Sequence, residues 1–341
     1  MLAPAALVTA LVLAFGFVMG GDGDPPRSRS AEGSPAAGPA SEVASEEPID
    51  SEGRSTLAKL TGPRVVIKAK PRPKFRIYKP YSFTVASFNV LGHSHTVTGG
   101  NHARFADSST RMGWTLSGLA SAGVDLVGLQ EVQPQNLGSL QARGGGTWSV
   151  WPGNALGRWG MANSIAWRKD TFEMLRGETM DIPYFGGQPR MQPYILLRHL
   201  KTGQKLWVAS FHNPANHGAT AANTRYRRIA TGREIALANT LARSGWPVFF
   251  TGDFNDRAEV FCPVTAGTDL KAANGGSTGA ACSPPDRMPV DWIFGSETIS
   301  FTSYAAIEGG VIGRASDHPL VVADVRVPRE KQRIIYKKKQ R

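Results

Sequence analysis

Four short apolar segments of the sequence each end at a polar side chain. They cover residues 82–88, 124–130, 205–211 and 247–252, and they are followed by Asn89, Glu131, His212 and Asp253. Short runs rich in β-branched and aromatic residues, bounded by polar residues, predict β-strands. We therefore expect a chain built of sheets, whose strands deliver polar groups at their ends.

Further strands are predicted at 164–167, 194–200, 290–294 and 320–325. Two helices are predicted from the spacing of their apolar side chains, at about 107–122 and 223–243, each followed by a glycine that favours a helix end. Strands outnumber helices, and no repeat of fixed period is visible. The pattern predicts α and β structure with mixed sheets.

The first twenty residues predict export. Residues 2–20 form an apolar run without a charged side chain. The run is longer than the apolar core of an ordinary signal peptide and approaches the length needed to span a bilayer. We interpret residues 1–20 as a signal peptide or a retained membrane anchor. In both cases we expect the rest of the chain to be extracellular, either secreted or held at the outer face of the cell membrane.

The charge of the chain, +12 in total, is concentrated near its ends. Residues 21–53 carry 8 acidic and 2 basic side chains, which predicts an acidic disordered linker. Residues 54–80, with 9 basic and no acidic side chains, predict a basic extended arm, and residues 326–341, with 8 basic and 1 acidic, a basic C-terminal tail. Such arms serve solubility or bind polyanions without sequence specificity. The remaining region, 81–325, is nearly neutral.

The strongest chemical signal is the sequence TGDFND, which places Asp253 and Asn255 on either side of Phe254. Because side chains alternate along a strand, we expect both polar side chains to face one way and Phe254 the other. Their oxygens suit a hard cation or a bound water. A turn is one alternative. An EF-hand calcium loop is excluded, because Ala258 and Val264 stand where that loop requires Gly and Glu.

Other polar residues strengthen this signal. Glu131 follows a strand predicted to be buried, where an unpaired carboxylate is costly unless a cation or a basic group compensates it. Asp317 and His318 directly precede the strand predicted at 320–325, and Asp291 is a candidate to fix the tautomer of an imidazole. Each residue alone is compatible with an ordinary surface or turn position. Their occurrence together predicts an active site.

The order of these residues resembles a known family. Along the chain they are Asn89, Gln130 and Glu131, His212, Gly252 to Asn255, Asp291, and Ser316 to His318. This order resembles the endonuclease/exonuclease/phosphatase superfamily, which includes deoxyribonuclease-I-like nucleases, abasic-site endonucleases, neutral sphingomyelinases and inositol polyphosphate phosphatases. The resemblance covers about residues 82–325 and implies that 81–325 is the catalytic domain. The family member that it indicates is a secreted, bacterial-type one. The resemblance implies an α+β fold, a four-layer α/β/β/α sandwich of two mixed β-sheets with helices outside.

The resemblance also implies ligands for a metal and for a phosphate. Glu131 would be the principal ligand of Mg²⁺ or Mn²⁺, with Asn89 beside it and Asp317 as an additional ligand. Hard divalent ions prefer carboxylate, amide and water oxygens, which agrees with this set. Asn163 and Arg190 match places at which family members hold the phosphate, although a satisfied loop amide and a surface guanidinium are equally good interpretations.

The catalytic residues that the resemblance implies are His212, Asp253, Asn255, Asp291 and His318. Asp253 and Asn255 would orient the attacking water and hold the phosphate or a second ion. His318, oriented by Asp291, would be the base or a phosphate-stabilising imidazole, and His212 the acid that protonates the departing oxygen. The roles of the two imidazoles are interchangeable at this stage.

Two further groups of residues have a structural interpretation. His93, His95 and His102 lie in one Gly-rich stretch. A zinc site is conceivable there, but no cysteine or acidic residue has matching spacing, so we interpret the stretch as a solvated loop. Cys262 and Cys282 are the two cysteines of a chain predicted to be exported, and we expect them to form a structural disulfide.

The sequence thus predicts a secreted, Mg²⁺-dependent phosphodiesterase, specifically an endonuclease that hydrolyses DNA or RNA by metal-assisted attack of water. The second hypothesis is a sphingomyelinase-like phospholipase or a phosphomonoesterase of the same fold. The third, a non-catalytic polyanion-binding surface protein, is disfavoured because Glu131, Asp253 and His318 are all present. We expect nucleic acid as the substrate, membrane contact only through the N-terminal segment, and a monomer.

Overall fold

The structure is a computed structural model, and it describes residues 75–216, 222–277 and 281–333. The predicted segments outside these residues are the signal peptide or anchor at 1–20, the linker at 21–53, most of the arm at 54–80 and the end of the tail at 326–341. Within the described ranges, no helix combines the length and the apolar character needed to cross a membrane.

The described residues form fourteen strands and seven α-helices. The strands are β1 (Phe75–Tyr78), β2 (Tyr81–Asn89), β3 (Leu126–Gln130), β4 (Trp148–Trp151), β5 (Asn163–Arg168), β6 (Phe172–Pro183), β7 (Pro189–His199), β8 (Lys205–His212), β9 (Val248–Asp253), β10 (Leu270–Ala272), β11 (Asp291–Ser296), β12 (Ser300–Ile307), β13 (Leu320–Val327) and β14 (Glu330–Arg333). The helices are α1 (His93–Thr96), α2 (Ser108–Ser121), α3 (Pro134–Gly144), α4 (Gly157–Met161), α5 (Ala222–Ala242), α6 (Ala258–Gly267) and α7 (Ile312–Ala315).

Most strands belong to two six-stranded mixed sheets. One has the order β12-β13-β2-β3-β5-β4, and the other has the order β10-β11-β9-β8-β7-β6. Each sheet contains one parallel pair, β2 with β3 and β8 with β9. A parallel pair needs a long crossover, and α2 and α5 lie in the two connections. The predicted fold class, two mixed sheets in an α/β/β/α sandwich, is confirmed.

Three apolar clusters separate the four layers. Leu126 and Phe249 lie in the cluster between the two sheets, whereas the next residues, Val127 and Phe250, face the clusters under the outer helices. Side chains on both faces of the central strands are therefore buried. This explains why those strands are continuous apolar runs in the sequence, since an alternating pattern requires one solvated face.

All eight strands and both helices predicted from the sequence are present. The strands that the sequence analysis missed include β4, β6, β10 and β12, which are the four edge strands of the two sheets. Edge strands are short or carry polar side chains, which protects them from pairing with other chains. In β12 no residue is fully buried, so it lacks the apolar run used to detect strands. The helices α3 and α6 were missed as well.

The described ends of the two basic segments meet in a separate ribbon. β1 pairs antiparallel with β14, with Phe75 opposite Arg333. The buried side chain of Gln204, between β7 and β8, donates hydrogen bonds to the carbonyl oxygens of Lys79 (2.8 Å) and Pro328 (3.0 Å). Ordered backbone therefore extends past both predicted boundaries of the catalytic domain.

The predicted disulfide is present. Cys262 of α6 is bonded to Cys282, 20 positions further along the chain. Both cysteines pack against the apolar cluster that includes Phe261 and Trp292. In the chain-entropy description, closing a loop of this length stabilises the fold by about 3 kcal/mol. The bond fixes the segment that follows TGDFND, which agrees with a structural role.

Candidate active site

The polar side chains predicted to form a site meet at one edge of the two sheets. The parallel pairs of strands end there, at Asn89, Gln130, His212 and Asp253. Because β11 and β13 run antiparallel to their neighbours, they begin at this same edge. Asp291 therefore opens β11 directly opposite Asp253, and His318 lies just before β13.

Glu131 is held as an anion at the end of β3. Its φ of +60° is uncommon for a residue with a side chain, and such strained positions cluster at functional sites. Its Oε1 accepts from Asn89 Nδ2 and its Oε2 accepts from the Gly92 N–H, each at 2.9 Å. Burial alone would raise the pKa of Glu131. His95 and these donors have the larger, opposite effect, so the pKa lies well below its usual range.

Asn89 connects two carboxylates. Its buried Nδ2 donates to Glu131 Oε1 at 2.9 Å and to Asp253 Oδ2 at 3.1 Å. Its Oδ1 accepts from the Leu91 N–H at 3.0 Å. The amide nitrogen, and not the oxygen, thus faces the acidic residues, so Asn89 orients Glu131 in this structure. Its assignment as a direct metal ligand stays a prediction.

The segment after Asp253 is a turn, and the expected strand alternation through Asn255 is wrong. β9 ends at Asp253, and Asn255 has a left-handed φ of +52°. The Asn255 N–H donates to Asp253 Oδ1 at 3.0 Å, and its Nδ2 donates to the Asn213 carbonyl at 2.8 Å. Phe254 is fully buried between Phe211 and Phe294. A local hydrogen bond of this kind, characteristic of Asp in turns, brings Asn255 beside Asp253.

His318 lies between two buried carboxylates. Its Nδ1 is 2.9 Å from Asp291 Oδ2, and its Nε2 is 3.7 Å from Asp253 Oδ2. Burial alone would lower the pKa of His318, but the charge and hydrogen bond of Asp291, with Asp253, raise it to about 10. Among the described residues these three form one group whose possible ligand atoms lie within 4.8 Å of one another. The hydrogen bond with Asp291 satisfies Nδ1 of the ring, whereas Nε2 faces Asp253 beyond hydrogen-bond distance.

His212 is the second imidazole near Asp253. Its Nε2 is 3.5 Å from Asp253 Oδ2, and the Tyr184 hydroxyl is 3.4 Å from this ring nitrogen. The backbone N–H of His212 donates to Gln192 Oε1 at 2.9 Å. Burial is the main reason why the pKa of Asp253 is raised, and the negative charge of the nearby Asp291 raises it as well. Asp253 is therefore a buried carboxylate of raised pKa, with two imidazoles near its Oδ2.

The two predicted phosphate-binding residues lie in different surroundings. Arg190 stacks on the rings of Tyr184 (4.4 Å) and Trp159 (5.1 Å), and with Glu131 it lines a cavity of about 560 Å³. Its guanidinium is thus placed beside the site. Asn163 is buried and donates from Nδ2 to Gln192 Oε1 at 2.9 Å. It supports the Gln192 side chain that binds the backbone of His212.

Residues 93–102 of the Gly-rich histidine segment are exposed or half-buried, as expected of a solvated loop, but two of its rings also contact carboxylates of the site. His95 Nε2 lies 3.3 Å from Glu131 Oε2, and His102 Nε2 lies 3.4 Å from Asp317 Oδ2. The hydrogen bond with Glu131 and the surrounding carboxylates raise the pKa of His95 to about 9. Three histidines within ten residues, just after the strand that carries Asn89, were the available signal.

The loop that follows His212 is anchored by α5. Arg227, a nearly buried residue of that helix, donates to the Pro214 carbonyl at 2.9 Å and pairs with Asp256 at 2.6 Å. Glu234 of the same helix is completely buried near Asn213. Burial raises the pKa of Glu234 to about 8, although Asn213 opposes this change.

Glu234→Gln should reduce the pH dependence of stability. Because the pKa of Glu234 rises from 4.5 to about 8 on folding, the unfolded chain loses this proton first as the pH increases. The free energy of unfolding therefore falls between about pH 5 and pH 8, and one pKa unit corresponds to about 1.4 kcal/mol. Urea denaturation at several pH values should show a smaller fall in Glu234→Gln than in the unchanged protein. The exposed Glu297→Gln is the control, and equal falls in all three proteins would contradict the assignment.

Comparison with known proteins agrees with this geometry. The model of the endonuclease/exonuclease/phosphatase family matches residues 86–318. An endonuclease/exonuclease/phosphatase family protein from Bacteroides thetaiotaomicron shares 17% identity at a TM-score of 0.58, over 73% of this chain and 99% of that chain. A mannosyl-6-phosphatase from the same species shares 17% identity at a TM-score of 0.54, over 71% of this chain and 99% of that chain. No curated protein sequence matches the chain.

A third similar structure is that of D. rerio TDP2 complexed with a single-strand DNA product. It shares 22% identity at a TM-score of 0.51, over 72% of this chain and 98% of that chain. Identities this low establish the shared fold alone, and the family is shown by the family model that matches residues 86–318. The chain belongs to the endonuclease/exonuclease/phosphatase family, whose members are phosphoric ester hydrolases that use divalent metals.

Proposed function

We propose that the protein is a secreted, divalent-metal-dependent phosphodiesterase, and specifically an endonuclease that hydrolyses DNA or RNA. The observation that carries the proposal is the position of Asp253, whose Oδ2 lies 3.5 Å from His212 Nε2 and 3.7 Å from His318 Nε2. Two imidazoles around one buried carboxylate provide proton donors and an acceptor beside the anionic Glu131. This set suits hydrolysis of a phosphate ester by direct attack of water.

The residues fit a hard divalent ion. Glu131 is an anionic carboxylate on the cavity wall, and the exposed Asp317 contributes a second carboxylate at the same edge. Carboxylate oxygens with room for water are the ligands that Mg²⁺ and Mn²⁺ prefer. We assign Glu131 as the principal ligand and Asp317 as an additional one, with Asn89 beside them. A bound ion would supply polarisation of the phosphate and stabilise its developing charge.

The protein's own side chains account for the proton transfers. Water attacks the phosphorus, and the bond between phosphorus and the departing oxygen breaks. Asp253, whose pKa is raised, accepts a proton from the water, while Asn255 helps to hold its carboxylate. His212 donates a proton to the departing oxygen. His318 carries a proton near neutral pH because its pKa is about 10, which favours the phosphate-stabilising role over the base.

Nucleic acid is the substrate that the charge distribution favours. A nearly neutral catalytic region is flanked by basic segments at 54–80 and 326–341, which would hold a polyanion during cleavage. Arg190, stacked against Tyr184 beside the cavity, is placed to bind a phosphate of that polymer. The D. rerio TDP2 structure holds a single-strand DNA product, which agrees with this substrate class. Secretion is supported by the apolar segment 2–20 and by the disulfide.

The direct test is to incubate the full chain with plasmid DNA, RNA, sphingomyelin vesicles and mannose 6-phosphate, each with Mg²⁺, with Mn²⁺ and with EDTA. We expect cleavage of nucleic acid with either metal, and none with EDTA. The His318→Ala protein, purified in the same way, controls for contaminating nuclease. Turnover of the lipid or of the sugar phosphate without cleavage of nucleic acid would replace the proposal with the phospholipase or the phosphomonoesterase.

Neutralising the C-terminal tail should weaken binding without changing chemistry. Residues 326–333 belong to β13 and β14 or the turn between them, so the test uses Lys337, Lys338 and Lys339, beyond those strands. Replacing all three by Gln should flatten the plot of log affinity for DNA against log salt by up to about 3, because each neutralised phosphate contributes roughly 0.9. Replacement by Arg is the matched control. The rate at saturating DNA should stay the same, and an unaltered salt slope would exclude the tail from the interface.

A further inference from the structure

An open aromatic ring stands beside the catalytic cavity. Trp159, in the short helix α4, is 55% exposed, and Phe185 next to the same cavity is 38% exposed. The guanidinium carbons of Arg158 and Arg190 lie 4.5 and 5.1 Å from the centre of a ring of Trp159. Apolar surface that stays open beside an active site commonly marks a contact for a ligand.

Trp159 belongs to a wall shared by two cavities. The first cavity, of about 560 Å³, is also lined by Glu131 and His212, and the second, of about 630 Å³, is also lined by Gln188 and Met191. The side chains that line both are Trp159, Tyr184, Phe185 and Arg190. We call these four residues the shared wall. The second cavity thus adjoins the catalytic one.

The shared wall reaches the catalytic residues directly. The Tyr184 hydroxyl lies 3.4 Å from His212 Nε2, and the Tyr184 ring stacks on the Arg190 guanidinium at 4.4 Å. Arg190 in turn contacts Trp159. A strand whose phosphate reacts beside His212 can therefore lay a neighbouring nucleotide against this wall.

Close packing determines the position of α4. A Cβ at Gly160 would lie 2.5 Å from the Leu156 Cβ, so this position requires glycine. The same Cβ would lie 3.6 Å from Met191 Cε, which shows that α4 rests against β7 next to Arg190. Trp159 is therefore presented by an ordered backbone, and little conformational entropy is lost when a ligand stacks on it.

The chemistry of the wall matches that of an unpaired nucleotide. Aromatic rings stack on the faces of all bases, and guanidinium groups both bind phosphates and stack on bases. In the described part of the chain, neither Arg158 nor Arg190 forms an ion pair with a carboxylate, so both charges are available to a phosphate. A purely apolar ligand would leave these two cations without a counter-charge.

We propose that Trp159 stacks on a base of the strand being cut, close to the cleaved phosphate, and that the protein prefers single-stranded nucleic acid. A base in a duplex is paired and stacked on its neighbours, so its face meets Trp159 only after the pair has opened. Duplex DNA, such as a plasmid, remains a substrate but a slower one. The inference rests on the proposed nuclease function, although binding can be measured without cleavage.

The first test measures binding of a labelled single-stranded oligonucleotide to the full chain in EDTA, at one salt concentration. Trp159→Ala should weaken binding by about fivefold to a hundredfold, the usual effect of removing one stacking ring, and should weaken binding of the duplex less. Trp159→Phe keeps an aromatic face and should keep most of the affinity. Phe75→Ala is the matched control, because Phe75 is also exposed with a cation over its ring, Lys331 Nζ at 4.5 Å, but lies in the ribbon of β1 and β14.

The second test locates the stacked base. Single strands that each carry one abasic spacer are cut in the presence of Mg²⁺, and the cut positions are read from the lengths of the products. The unchanged protein should cut about fivefold to a hundredfold less at one fixed distance from the spacer. With Trp159→Ala the spacer should have no such effect, because the contact that it removes is already lost.

Three outcomes would overturn the inference: unchanged single-strand affinity of Trp159→Ala, equal losses for single strand and duplex, or a spacer without effect on the cut positions. If Trp159→Ala instead loses only its binding to sphingomyelin vesicles, the wall serves a membrane and the inference is refuted. Melting curves verify that each variant is folded. Trp159-dependent binding of single strands without cleavage in any metal would refute the proposed function alone, whereas cleavage that is insensitive to Trp159 would refute this inference alone.

Discussion

Glu131→Gln should lower the rate of phosphodiester cleavage by orders of magnitude. The substitution keeps the volume of the side chain and removes the charge that we assign as the principal bond to the metal. The surroundings of Glu131 hold its pKa well below the usual range, so we expect the side chain to be an anion at neutral pH. The measurement is the initial rate on plasmid DNA over a range of Mg²⁺ and Mn²⁺ concentrations.

The fold should survive this change. The amide side chain of the Glu131→Gln variant would keep one oxygen to accept from the Asn89 amide or the Gly92 N–H, and loss of one buried hydrogen bond costs about 1–3 kcal/mol. The exposed Glu308→Gln is the matched control and should retain full activity. Undiminished turnover of Glu131→Gln at saturating metal would remove Glu131 from the metal site. A melting curve of each variant separates loss of activity from loss of the fold.

The central part of the fold could be predicted from the sequence because its physics is local. β2, β3, β8 and β9 are covered on both faces, so burial imposes continuous apolar runs that are visible without knowledge of the partners. The edge strands β6 and β12 are not covered in this way. Most of their side chains are exposed or half-buried, and many are polar. The place of these strands in the sheets depends on pairing with distant strands, which no local pattern records.

The site could be predicted where a polar residue stands at the end of an apolar run. Asn89, Glu131, His212 and Asp253 all satisfy this rule. Tyr184 does not, because it reaches His212 from a different strand connection and no spacing links the two. The position of Asn255 was predicted for the wrong reason, since a hydrogen bond to Asp253 and a left-handed backbone determine it.

The histidine loop shows the limit of rules based on sequence spacing. The absence of cysteine and acidic neighbours at zinc-finger spacing argued against a metal. The acidic partners of His95 and His102 are instead Glu131 and Asp317, which lie in other strand connections and meet the loop only in the folded chain. Spacing rules detect sites whose ligands are neighbours in sequence. A site assembled from several strand ends requires the topology.

His212→Ala and His318→Ala should each lower the cleavage rate by about a hundredfold to ten-thousandfold, the usual contribution of proton transfer or charge stabilisation by an imidazole. Asp291→Asn should have a milder effect, about tenfold to a hundredfold, because it leaves the His318 ring in place and removes the carboxylate that orients it. Asp291→Asn and His318→Ala should impair the same step, because both weaken the contribution of the His318 ring. Rates at saturating DNA and metal provide the comparison, and melting curves verify that each variant is folded.

The two imidazoles can then be separated by the leaving group. A nitrophenyl phosphodiester expels an anion that needs no proton, so loss of a proton donor matters little for this substrate. If His212 protonates the departing oxygen, the nitrophenyl diester should restore much of the rate of His212→Ala. His318→Ala should stay slow with both substrates, because the charge on the phosphate still develops when the leaving group is a good one. Equal rescue of both variants, or rescue of neither, would contradict this division, and rescue of His318→Ala alone would exchange the two roles.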